Sequence, residues 1–154
     1  GNLSIRVNTG NQFVITATAT GAQRELQLEQ FCLIESFSIE NNHVQSRGPL
    51  PASSESMTHG TIYAAHTGVG CVMHVHSRSL FDQLLQTGAP ATPADVPYGT
   101  PAMADRVAQL VKLQPKLPTV FVMVGHDEGV VAYGADTASA LDALCTLLQR
   151  ISTP

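Results

Sequence analysis

Two histidines stand one residue apart in the apolar run "CVMHVHSRS", residues 71–79. In a strand, side chains two apart face the same way, about 6–7 Å from each other. His74 and His76 would then present paired imidazoles, the beginning of a metal chelate. An isolated HxH is more often one core histidine and one at a sheet end. His126 changes that balance, because it closes a second apolar run, "TVFVMVGH" (119–126). Strand ends that meet a loop are where site residues concentrate. Three histidines with an open fourth position describe a catalytic zinc site rather than a closed structural one; the plainer alternative has His126 merely capping its strand.

Glu55 is the next group that could do chemistry. It follows two serines in "PASSE" (51–55) and opens an expected helix, so its carboxylate would lie near unpaired backbone N–H groups. Acidic residues are common there because of the helix dipole. The functional alternative is a general acid/base, or a further metal ligand. Ser53 and Ser54 add hydroxyls at the same helix start, which either caps the helix or binds an anion such as phosphate. His59, one turn on, either orients Glu55 or, as is more common for such a residue, is simply partly buried.

The elements that must position these groups follow from patterning. Leu3, Ile5 and Val7 alternate with polar residues and predict a strand; "NTGN" (8–11) predicts a turn into a hairpin partner over residues 12–20. Residues 22–30 are polar enough for a short helix. A second hairpin is expected over 31–40 and 43–47, a helix from about 55 to 66, a buried strand over 69–77 and a helix over 79–86. Thr100-Pro101 is a cap followed by a first-turn proline, with Val107, Leu110 and Val111 as the buried stripe. Strands over 119–126 and 129–134 and a last helix from about Thr137 complete an α/β layered arrangement around a largely antiparallel sheet.

Composition narrows the function classes. The 154 residues suit one domain, 1–154, with a real core. With a net charge of −4, no basic patch and few aromatics, no nucleic-acid partner is expected. No apolar run reaches the roughly 18 residues of a membrane span, so no membrane partner is expected either, and the N-terminus does not read as a secretory signal. Cys32, Cys71 and Cys145 are odd in number and widely spaced, which fits buried thiols in a reducing, cytoplasmic setting.

Assembled in order, "GNLS" (1–4), "TG" (20–21), "PASSE" with His59 and Tyr63, "VMHVHS" (72–77), "YGTPAMADRV" (98–107) and "VGH…GVVAYG" (124–134) resemble the class II aldolase/adducin family. The resemblance implies a three-layer α/β/α sandwich with a central, largely antiparallel mixed sheet, assembled as a homotetramer. It implies that His74, His76 and His126 hold a divalent metal, usually zinc, and that Glu55 is the catalytic acid/base and an extra ligand when substrate is absent. It also implies that Asn2, Thr20, Gly21, Ser53 and Ser54 hold the phosphate of a small sugar-phosphate substrate. The reaction implied is aldolase-type cleavage of a C–C bond through a metal-stabilised enediolate. The alternatives are an epimerase, dehydratase or decarboxylase on the same scaffold, or a non-catalytic adducin-like assembly module.

The chain also departs from the family pattern. It starts at the GN motif, so the family's preceding helix is expected to be absent. The segment from His76 to Tyr98 is short, which removes the tyrosine those aldolases use as proton donor. Asp127 and Glu128 intervene between His126 and Gly129. Tyr98, Asp127 and Glu128 are therefore the candidates for the replacement donor.

Overall fold

A computed structural model describes residues 1–152. In chain order its elements are β1 (Asn2–Arg6), β2 (Phe13–Thr16), a 3-10 turn at Leu28–Gln30, β3 (Phe31–Ser38), β4 (His43–Arg47), α1 (Ser56–Ala65), β5 (Cys71–His76), α2 (Arg78–Gln86), β6 (Ala91–Thr92), α3 (Pro101–Leu113), β7 (Thr119–Met123), β8 (Gly129–Gly134) and α4 (Thr137–Ser152). Among the described residues the strands form one sheet in the order β4-β3-β2-β1-β5-β8-β7-β6. All neighbours are antiparallel except β6 and β7.

Strand alternation divides the apolar residues into two cores, because neighbours along a strand point to opposite faces. Val72, Phe121, Met123, Val131 and Tyr133 face Ile62 and Tyr63 of α1 and Met103, Val107 and Val111 of α3. Cys71, Met73, Val122, Val130 and Ala132 face Leu80, Phe81 and Leu84 of α2 and Ala140 and Leu144 of α4. Helices on both faces of one mostly antiparallel sheet make the expected three-layer α/β/α sandwich. By the same parity, His74 and His76 share the face of Val72 and look toward α1.

The helix α1 is buried from Ser56 through Tyr63. Its approach to β3 requires a bare backbone, since a Cβ at Gly60 would lie 2.8 Å from the Phe37 ring. Several expectations need correction. Residues 22–30 hold only the short 3-10 turn, because no apolar stripe there gives a helix a face to bury. The strand expected over 12–20 ends at Thr16; Ala19 has φ 59° and turns the chain away. The strand expected over 119–126 stops at Met123, leaving His126 in a tight turn. Neither serine caps α1 directly. Glu55 occupies the cap position, and Ser53 Oγ accepts the Glu55 N–H at 3.3 Å. β6 is two residues long and flanked by prolines, too short to show a period. Cys145 is exposed, unlike Cys32 and Cys71. Among the described residues no helix is long and apolar enough to cross a membrane.

Candidate metal centre

The site lies where four chain segments meet at one end of the sheet. β5 delivers His74 and His76. Its antiparallel partners bring Asn2 of β1 opposite His74 and Gly129 of β8 opposite His76. The turn before β8 contributes His126, whose N–H is bonded to Met123 O at 2.9 Å and whose carbonyl accepts from Gly129 at 2.8 Å. Glu55 arrives from the N-terminus of α1.

The three imidazoles form a closed cluster. Ring centroids are 4.7 Å apart for His74 and His76, 5.1 Å for His74 and His126, and 4.6 Å for His76 and His126. One nitrogen from each lies within 4.8 Å of the others. Gly129 leaves room for them: a Cβ there would sit 3.3 Å from His74 Nε2 and 3.2 Å from His126 Cδ2.

The Glu55 carboxylate is 5% exposed. Its Oε2 contacts His74 Nδ1 and accepts from the Asn2 amide at 2.7 Å. Its Oε1 has no hydrogen-bond partner among the described residues and lies 3.5 Å from His126 Nε2. Burial alone would raise the Glu55 pKa. The hydrogen bond and charge of His74, with the Asn2 amide, outweigh it and hold the group at about 2. Burial lowers the pKa of His76 and of His126, and the neighbouring imidazole of His74 adds to the effect. Near neutral pH the site therefore offers neutral imidazoles at His76 and His126 and an ionised carboxylate at Glu55.

This donor set fits a divalent cation. With His74 Nδ1–H given to Glu55, its Nε2 keeps a lone pair, and that atom is buried with no partner among the described residues. A carboxylate on the far nitrogen is the usual way a ligating imidazole is oriented. Behind it lies a buried network that the sequence hinted at only through the spacing of His59 and Tyr63 along α1. Ser4 Oγ is 2.7 Å from His59 Nδ1 and 2.8 Å from the Tyr63 hydroxyl. Burial drives His59 down to about 3, with Glu55 opposing and His74 adding to the shift.

A cavity of about 220 Å³ opens beside the cluster, lined by Asn2, Gly21, Ser53, Ser54, Glu55, His76, Tyr98 and His126. Of the expected phosphate ligands, Ser53, Ser54 and Gly21 line it. Asn2 also lines it, but its amide is already given to Glu55. Thr20 lines an adjoining cleft with Asn2, Gly21 and His74, and its hydroxyl donates to Ala17 O at 2.7 Å. Of the candidate proton donors, Tyr98 is half-exposed and its ring lies 4.1 Å from that of His126. Asp127 and Glu128 both pair with Arg78, a contact no local sequence signal announced.

Comparison with known proteins gives the family and the fold. The family model described as Class II Aldolase and Adducin N-terminal domain matches residues 1–152. Over 78 residues, half of this chain, the sequence is 35% identical to the bifunctional enzyme MtnB/MtnX of Bacillus licheniformis; the match spans 17% of that protein. The fold is similar to that of a sugar-phosphate aldolase from Thermotoga maritima, with TM-score 0.74 and 18% identity over 98% of this chain and 82% of that one. It is also similar to L-fuculose 1-phosphate aldolase, with TM-score 0.69 and 16% identity over 97% and 71% of the two chains. At these identities the structural likeness is one of fold.

Proposed function

Because the chain belongs to the class II aldolase and adducin family, we propose that it is a zinc-dependent lyase cleaving a C–C bond in a small phosphorylated sugar. The observation that carries this reading is the convergence of His74, His76 and His126 on one point beside the ionised, buried Glu55. His74, His76 and His126 would hold the metal, and Glu55 could join them before substrate enters. A bound divalent cation supplies Lewis acidity, drawing charge from the substrate carbonyl as the C–C bond breaks.

The chain's own groups do the rest. Asn2 and His74 fix Oε2 of Glu55, which leaves Oε1 as the atom that takes and returns a proton. Ser53, Ser54, Gly21 and Asn2 line the cavity at the N-terminus of α1, with Thr20 in the adjoining cleft; they would hold a phosphate there, where backbone N–H groups and the helix dipole favour an anion. Binding energy gathered there positions the reacting end of the substrate. Tyr98 is the better proton donor of the three candidates: it faces the cavity, whereas Asp127 and Glu128 are turned to Arg78. The reading includes a cytoplasmic homo-oligomer, with a tetramer as the expected size.

Elemental analysis of untagged protein tests the metal, with one equivalent of zinc per chain expected. Fuculose, rhamnulose, ribulose and methylthioribulose phosphates, assayed for carbonyl products, then test the chemistry. Protein with no divalent metal refutes the reading. Epimerisation, loss of water or loss of carbon dioxide in place of cleavage keeps the site and replaces the lyase with the corresponding alternative.

A further inference from the structure

Arg78 lies two residues past His76 and engages the two residues that directly follow His126. Its guanidinium has no spare nitrogen. One terminal nitrogen donates to both carboxylate oxygens of Asp127, at 2.7 and 2.8 Å. Nε donates to Glu128 Oε1 at 3.3 Å, and the other terminal nitrogen is 3.5 Å from Asp82 Oδ1. The first turn of α2 backs the group, with the guanidinium carbon 5.4 Å from the Phe81 ring centroid.

The backbone of the same turn is tied to the same place. Ser77 N–H donates to Glu128 O at 3.1 Å, and His76 pairs with Gly129 across the ladder. Glu128 has φ +64°, a left-handed conformation that side chains with a Cβ avoid and glycine adopts freely. A non-glycine residue held there calls for a reason in what its side chain does. The Glu128 side chain is one of the three carboxylates on Arg78.

Resting on the metal-site reading above, we infer that Arg78 is a positioning residue for the metal centre. It clamps the Asp127–Glu128 turn onto the start of α2 and so sets His126 against His76. Both ligands depend on that turn. His126 precedes it in the chain, and Gly129, which follows it, pairs with His76 across the ladder. Single exposed ion pairs contribute little, but several carboxylates gathered on one arginine form a network, the case in which they matter. Partners one layer outside the ligands ordinarily alter metal affinity more strongly than this, so the expected effect is about fivefold on the zinc dissociation constant.

The test strips untagged full-length protein of metal and titrates zinc against a chromophoric chelator, with thermal unfolding followed in parallel. Arg78→Gln and Asp127→Asn should each weaken zinc binding about fivefold. The double variant should be no weaker than either single one, because both break the same contact. Arg78→Lys should recover only part of the loss, since an ammonium lacks the planar fork of donors that a guanidinium presents. High salt should bring the parent down toward Arg78→Gln while leaving that variant unchanged. Parental zinc affinity in Arg78→Gln, or losses that multiply in the double variant, would overturn the clamp while leaving the metal site standing. A parent that binds no zinc overturns both.

Discussion

His59 gives the most direct measure of how tightly the site is built. It is fully buried, shares one hydrogen bond with the Ser4 hydroxyl at Nδ1, and has no partner at Nε2 among the described residues. Folding lowers its pKa from 6.5 to about 3. Between those values the unfolded chain binds a proton that the folded chain refuses. Stability from this group is therefore complete above pH 6.5 and falls steadily as pH drops toward 3. At pH 5 the imidazole is about 1.5 pH units into that window, a loss of about 2 kcal/mol. Glu55 acts in a different range. Its folded value of about 2 means its contribution is present above the unfolded carboxylate pKa of roughly 4.3 and is lost only below it. The perturbation is His59→Gln, whose amide can still meet Ser4 but does not titrate. Metal-free parent and variant are unfolded in urea at pH 7 and pH 5, at one protein concentration. With a slope of about 2 kcal/mol per molar urea, the parent midpoint should fall about 1 M further than that of the variant between the two pH values. His76 and His126 titrate in both proteins and cancel. Equal falls in parent and variant would refute the picture of a neutral imidazole locked in the core.

Two further outcomes follow from the geometry. Glu55→Gln should retain zinc by elemental analysis while turnover on the accepted substrate falls about 10²–10⁴-fold, the usual loss when a general base is removed; undiminished turnover would assign the proton to another group. Gly129→Ala would place a methyl group 2.7 Å from His126 O and 3.3 Å from His74 Nε2. It should weaken zinc binding and cost about 1–3 kcal/mol of stability, read together by chelator competition and thermal unfolding.

Much of this protein is legible in one dimension. The alternation in "CVMHVH" puts His74 and His76 on one face whatever surrounds them, because strand side chains repeat every two residues. The run ending at His126 and the serines before Glu55 mark a strand end and a helix start to within a few residues by local chemistry alone. What local chemistry leaves open is which ends meet. Sheet order sets β1 and β8 on either side of β5, and that register brings Asn2 opposite His74 and Gly129 opposite His76. The hydrogen bond from Asn2 to Glu55 joins residues 53 positions apart, and Ser4 meets His59 across 55; no periodicity encodes such pairs. The two acidic residues after His126 are the clearest instance. As a sequence they are candidate proton donors, and only packing reveals Arg78 beside them. Residue types and spacing determined which groups were available for chemistry, since those depend on neighbours along the chain. The tertiary structure alone decided which nitrogen of His74 stays free, which oxygen of Glu55 is held and which carboxylates are already spent, because each depends on a partner supplied by a distant segment.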